Sequence, residues 1–497
     1  MAAEHLDVLI VGAGLSGIGA AHHLQERCPG KSFAILEARE DIGGTWDLFR
    51  YPGIRSDSDM NTLGYRFKPW TERHALADGP AILSYIRETA HEDGTMAKIR
   101  FNHRVVAADF STAEQRWRVE VERADSGETV HLSCDFLHIC SGYYRYDEGF
   151  SPRFPGIERF GGQLVHPQHW PEDLDHEGKR VVVIGSGATA VTLVPALAEK
   201  AAHVTQLQRS PTYVISIPNV DPVANALHRR LPTRTAYMLV RWKNVLLQTA
   251  TYQLARRRPE FVRKLLRRGA ARALPAGYDV DTHFNPRYNP WDQRLCMIPD
   301  GDLFKVLSDG SAEIVTDTIE TFTAGGIALE SGKELAADIV ISATGLNLLF
   351  LGGARLSVDG EQADVPRAMA YKGMMLSGVP NMAFTIGYTN ASWTLKADLV
   401  AEYVCRLLNH MDAHGYTQCM PVADPSVEEV PLLDFAAGYV LRSLDQLPKQ
   451  GSRNPWNLRQ NYALDLRTLR HGPVEDGAMR FSRPLRQPRA EPERIAA

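Results

Sequence analysis

Two glycine-rich turns carry the residues best suited to chemistry. Gly12-Ala13-Gly14-Leu15-Ser16-Gly17 follows the apolar run Leu6–Val11, and Gly185-Ser186-Gly187-Ala188-Thr189-Ala190 follows the valine-rich run Lys179–Ile184. In a strand–turn–helix unit the first glycine permits a tight turn and the second lets a pyrophosphate approach the backbone. The third small residue lets the helix pack on the strand. The anion then sits at a helix N-terminus, where free N–H groups and the dipole favour negative charge. Each turn is completed at the end of the next strand. Glu37 closes Phe33–Leu36, 20 residues after Gly17, and suits ribose hydroxyls. Gln208-Arg209-Ser210 closes Val204–Gln208. An arginine there pairs with a 2′-phosphate that an acid would repel. The second site is therefore read as an NADPH site built from Gly185, Gly187, Ala188, Thr189, Arg209 and Ser210. At the first, an acid does not separate FAD from NAD. Its place ahead of a second such site favours FAD, held by Gly12, Gly14, Ser16, Gly17 and Glu37.

Positioning two such turns takes an α/β fold with two Rossmann-like dinucleotide-binding domains. Asp338–Ser342 reads as a further buried strand, ending in Ala343-Thr344-Gly345. That triplet resembles the hinge of two-dinucleotide flavoproteins, with Cys140-Ser141-Gly142 as its partner on the outgoing chain. Two crossings mean that the NADPH domain is inserted into the FAD domain. The expected divisions are an FAD domain at 1–145 and 346–480, an NADPH domain at 146–212 and 294–345, a helical insert at 213–293, and a disordered tail at 481–497. Ala236–Leu254 and Phe261–Ala273 read as helices of the insert. A helix from about Lys396 to Leu408 is expected to aim its N-terminus at the flavin ring. Trp393, just before it, could serve there or in packing only.

Composition bounds the alternatives. A chain of 497 residues is too long for one core. Its 55 basic and 59 acidic residues leave a net charge of −4, which implies no nucleic acid or other bulk polyanion as partner. None of the six cysteines forms a C-x-x-C pair, which argues against a dithiol reductase and against a zinc ribbon, and no metal site is expected. Scattered thiols and the lack of a basic leader fit a cytoplasmic protein. Val181–Ala198 and Gly373–Leu395 are long and uncharged, but glycine, proline or asparagine interrupts each, so neither reads as a membrane span. Arg229–Arg272 carries 13 basic residues against one acid, Glu260, with Trp242, Leu246, Leu247 and Phe261 nearby. Such a face suits peripheral contact with an anionic membrane, plain solvation, or the entrance for an anionic cofactor.

Two further stretches sharpen the reading. Phe160, Gly162, His166, Trp170 and Pro171, in the connector between the two turns, match the F-x-G-x-x-x-H-x-x-x-W-P signature of Baeyer–Villiger monooxygenases. Residues 43–57, too rich in glycine, proline and aromatics for a regular element, match the second signature through Gly43, Gly44, Trp46, Tyr51, Pro52, Gly53 and Asp57. The chain thus resembles that family along nearly its whole length. Gly44–Gly53, Gln208–Tyr213 and Asn289–Arg294 are similar to its ethionamide-activating subgroup, which oxygenates ketones and the sulfur of thioamides.

The resemblance implies an NADPH- and O2-dependent flavoprotein monooxygenase. It would convert small hydrophobic ketones to esters through a C4a-peroxyflavin, and would oxygenate sulfides or thioamides. It implies that Arg294 stabilises the oxygen anion and that Asp57 tunes that arginine, with Asp59 a near neighbour of similar type. Gly44, Thr45, Trp46, Asp57 and Asn390 join the cofactor-binding set, and Phe160, Gly162, His166 and Trp170 couple the domains. Gln293 stands where the family often has a lysine on the NADPH phosphate, leaving Arg209 more isolated. A heteroatom oxygenase, or an NADPH oxidase without an oxygen-transfer product, remain the alternative readings.

Overall fold

The computed structural model describes residues 4–293, 295–433 and 435–483. Its first sheet is nine-stranded. The parallel core is Thr129–Ile139, Glu4–Val11, Phe33–Leu36 and Ile99–Arg100 in that spatial order. Val8–Val11 and all of Phe33–Leu36 are buried, as strands covered on both faces must be. On the other side of Thr129–Ile139 an antiparallel meander runs through Arg116–Arg123 and His103–Ser111. Arg116–Arg123 alternates buried Trp117, Val119 and Val121 with more exposed residues, the period-2 pattern of a one-faced strand. The helix Leu15–Arg27 packs against the long helix Trp393–His414.

The second sheet has five strands, all paired in parallel. Their order is Ala312–Thr316, His203–Gln208, Arg180–Ile184, Ile339–Ser342 and Gln163–Val165. The chain leaves the first sheet after Ile139, builds the second, and returns through Arg355–Val358, Glu361–Gln362 and Met382–Phe384. One unit is therefore nested within the other. The two crossings lie side by side: Arg145 N donates to Asn347 O at 2.8 Å and Leu349 N to Tyr143 O at 2.9 Å. Gly142 and Gly345 stand at their ends with φ of 70° and 123°.

Between the strands of the second unit lie the helices Pro222–Arg230, Thr233–Arg257 and Pro259–Ala273. The segment 213–293 is not helical throughout, since Val214–Ile217 pairs with Cys296–Pro299. The long helix ends at Arg257 because Arg258, ahead of Pro259, is kept out of the helical region at φ −136° and ψ 58°. It packs on the first unit. Buried Arg241 donates to Asn61 O and Gly64 O, each at 2.8 Å, and lies 3.6 Å from the Asp398 carboxylate. The basic run is thus not one solvated face. Arg241 is inside, and Arg256 and Arg267 are paired with Asp292 and Asp281. Leu246, Leu247, Phe261 and Leu265 are exposed. Among the described residues no helix is long and apolar enough to cross a membrane.

Two local expectations need correction. Residues 43–57 hold one regular turn, the helix Thr45–Leu48, started by Gly43 and Gly44 at φ of 116° and 57°. The C-terminal stretch is ordered past residue 480: Met479–Ser482 pairs with Gln418–Pro421, and Phe481 stacks on Tyr416 at 5.0 Å. An aromatic with a stacking partner overrides the coil tendency of its Arg- and Pro-rich surroundings. Residues 484–497 lie outside the described residues.

Candidate active site

The first turn is fixed as glycine by crowding. A Cβ on Gly12 would lie 2.8 Å from Cys140 O, and one on Gly17 would lie 1.8 Å from Gly12 O. Gly14 differs, since a Cβ there would meet nothing closer than 3.8 Å. The helix Leu15–Arg27 has no side-chain cap, so its first N–H groups are left for an anion. Glu37 accepts from Ala13 N at 2.7 Å and from Arg39 N at 3.0 Å. Burial pushes its carboxyl above the usual range, against the pull of those donors and of Arg39. Ser16 Oγ accepts from the Trp393 indole at 2.7 Å, which fastens the start of the long C-terminal helix to the turn.

The second turn repeats the backbone and not the packing. Gly185, at φ 142°, would place a Cβ 2.4 Å from Ala343 O. Gly187 and Ala188 are exposed, and a Cβ on Gly187 would meet nothing within 4 Å. The helix Ala188–Ala198 also lacks a side-chain cap. Arg209 and Ser210 are exposed at the end of His203–Gln208, and the Arg209 guanidinium has no carboxylate partner among the described residues.

Both turns open onto one cavity of about 1190 Å³. Its walls include Gly12, Gly14, Ser16, Glu37, Gly44, Thr45, Trp46 and Asp57 from the first unit. The second unit contributes Gly185, Gly187, Ala188, Thr189, Arg209 and Ser210. The loop 43–57 joins the two. Its Phe49 and Tyr51 are buried in the core of the second unit, and a Cβ on Gly53 would lie 2.9 Å from that of Ala196. Burial pushes the Tyr51 phenol up to about 12, and its hydrogen bond to Thr189 pulls the other way. Asp57 and Asp59 part company here. Asp57 lines the cavity, whereas Asp59 caps Met60–Leu63 and accepts from Asn244 at 2.7 Å and Gln248 at 3.1 Å.

The flavin-binding monooxygenase-like family matches residues 6–258. The FAD-containing monooxygenase EthA of Mycobacterium tuberculosis (strain ATCC 25618 / H37Rv) is 61% identical over 482 residues, 97% of this chain and 98% of its own. This chain belongs to the flavin-binding monooxygenase-like family. Its fold is that of solved relatives at lower identity. An oxidized steroid monooxygenase bound to NADP superposes with a TM-score of 0.73 at 22% identity, covering 96% of this chain and 100% of the other. OTEMO in complex with FAD and NADP gives 0.71 at 23%, covering 85% and 87%.

The residues present fit what a flavin-binding monooxygenase must hold. Open backbone at Gly14 and Gly187, two uncapped helix starts and a shared cavity make room for two dinucleotides. Some expected site residues lie elsewhere. Asn390 does not reach the cavity, because its amide donates to Gln460 O at 3.0 Å beside a separate small hollow. Phe160 packs on Phe322, and Gly162 lies where a Cβ would meet Asp338 O at 2.4 Å. His166 packs against Gly149, and Trp170 against the core of the second unit. None of these four lines the cavity. Arg294 lies outside the described residues, while Gln293 and Cys296 line the wall. Gln168 is buried within the connector signature, at one of its unspecified positions. Its amide donates to Arg145 O and Tyr146 O, both at 2.9 Å, tying the connector to a crossing segment.

Proposed function

We propose that this enzyme is an NADPH- and O2-dependent monooxygenase that carries out Baeyer–Villiger oxidation of ketones and oxygenates sulfur compounds. The observation that carries the reading is the single cavity onto which both glycine turns open. FAD would be held by Gly12, Gly14, Ser16, Gly17 and Glu37, with Gly44, Thr45 and Trp46 beside it. NADPH would be held by Gly185, Gly187, Ala188, Thr189, Arg209 and Ser210. When bound, FAD supplies electron storage and dioxygen activation, and NADPH supplies the hydride. The chain's own part is to bind, orient and shield. The loop 43–57, anchored in both units, fixes their approach. The aromatic wall of Trp46, Tyr143, Tyr144, Trp393 and Tyr439 keeps water scarce around the reacting atoms. In a water-poor site a fixed cation lowers the cost of negative charge on oxygen, and Arg294 takes that role, with Asp57 as the acid that orients it. The divisions at 1–145, 146–212, 213–293, 294–345 and 346–480 are proposed as the working domain map. EthA, by its name, is an FAD-containing monooxygenase, which agrees with this reading.

The test is product analysis with a phenyl ketone and an organic sulfide, in the wild type and in Arg294→Ala. The wild type should yield ester and sulfoxide. The variant should still consume NADPH under anaerobic single turnover while ester formation falls by about 10² to 10³. Wild-type turnover that yields only hydrogen peroxide with both substrates would replace this reading with an oxidase. Undiminished ester formation in Arg294→Ala would remove that residue from the mechanism.

A further inference from the structure

Five described arginines line the cavity: Arg39, Arg55, Arg104, Arg209 and Arg442. Three are neutralised by carboxylates: Arg39 by Asp47 at 2.5 Å, Arg55 by Asp302 at 2.8 Å and Arg104 by Asp147 at 3.1 Å. Arg209 and Arg442 have no carboxylate partner among the described residues. Arg209 already has a role at the 2′-phosphate. Arg442 has none, and no motif pointed to it.

Arg442 is held in place. It follows the short helix Gly438–Leu441, whose Val440 is buried in the core of the first unit. Its Cζ lies 3.5 Å from the centroid of the Phe150 ring, and its Nη2 donates to Leu346 O at 3.3 Å. Stacking and one carbonyl occupy one face and one N–H, so most of its five donors remain for a ligand. The side chain is otherwise exposed, and the partial desolvation it does suffer lowers its proton affinity.

Its position selects the ligand. Ile184 and Ser342 are register partners on adjacent parallel strands. The turn after Ile184 touches the residue after Ser342, since a Cβ on Gly185 would lie 2.4 Å from Ala343 O. Two residues on, the Arg442 Nη2 lies 3.6 Å from where a Cβ of Gly345 would be. The guanidinium therefore stands over the carboxyl ends of those two strands, where open α/β sheets bind their ligands. The Gly185 turn presents N–H groups to a diphosphate, and the cation lines the same cavity.

We propose that Arg442 is a binding residue for the pyrophosphate of the nicotinamide dinucleotide at the Gly185 turn. This rests on the reading of that turn as the NADPH site. Because Arg442 belongs to the returning part of the first unit, a coenzyme so held joins both units. The experiment titrates NADP+ and NAD+ into the FAD-loaded protein, read by calorimetry, for wild type, Arg209→Ala, Arg442→Gln and Arg442→Lys. NADP+ and NAD+ share the pyrophosphate and differ in the 2′-phosphate. Arg442→Gln should weaken both by the same factor of about 10 to 100, with Arg442→Lys recovering part of the loss. Arg209→Ala should weaken NADP+ alone. Wild-type flavin content and melting temperature in the Arg442 variants separate lost binding from lost folding. Unchanged NADP+ affinity in Arg442→Gln would overturn the proposal, as would a loss confined to NADP+, or a KM effect confined to an anionic organic substrate. Failure of the wild type to bind NADP+ would instead remove the reading of the second turn, and the proposal with it.

Discussion

The two glycine turns share a backbone plan and differ in what surrounds them. At the first, residues 15–17 are all buried, Glu37 is clamped by two backbone donors, and Trp393 reaches across to Ser16. At the second, Gly187, Ala188, Arg209 and Ser210 are exposed. A ligand seated in the more closely packed turn leaves more slowly, because leaving it disturbs that packing. A ligand seated in an open turn can exchange within each catalytic cycle. The contrast matches a resident flavin and a consumable nicotinamide coenzyme, and teaches that the same local motif acquires its role from the packing around it.

The largest effect should come from forcing a side chain into the packed turn. Gly17→Ala places its Cβ 1.8 Å from Gly12 O, so strand and helix must separate. The expected cost is about 3 kcal/mol or more, read as a large fall in melting temperature with loss of bound flavin. A variant with wild-type stability and flavin would break the comparison at its first term. At the open turn the effect should fall on binding only. Arg209→Ala should raise the KM for NADPH about 10- to 100-fold through loss of a charge-assisted hydrogen bond, with KM for NADH and thermal stability unchanged. Equal losses for both coenzymes would deny Arg209 its phosphate. The smallest effect is a gain. Gln293→Lys adds a cation to the cavity wall and should lower the KM for NADPH about threefold, as a solvent-screened charge does. Raising the ionic strength should erase that gain before it affects the Arg209 contribution.

What was legible in the sequence was local. Val8–Val11, Phe33–Leu36 and Val181–Ile184 announce buried parallel strands by their apolar runs, and glycines at fixed offsets announce the turns between strand and helix. What proved invisible were contacts between distant parts of the chain. Nothing near Gln168 says that its amide will meet Arg145 and Tyr146, and nothing near Tyr51 says that its phenol will find Thr189. Asn390 is a like case, since its partner Gln460 lies 70 residues away. Arg241 reads as one more charge in a basic run, and only the approach of Asn61, Gly64 and Asp398 makes it a buried anchor. The meander from His103 to Ile139 carries no chemistry to draw attention to it, although Arg116–Arg123 alternates buried and more exposed residues.

The paired crossings have a mechanical consequence. Because Tyr143–Arg145 and Asn347–Leu349 are hydrogen-bonded edge to edge, the two units are joined by a ribbon and not by two loose threads. A ribbon folds readily across its width and resists shear within its plane. Any opening of the cavity would therefore be steered across the width of that ribbon, with Gly142 and Gly345 at its ends.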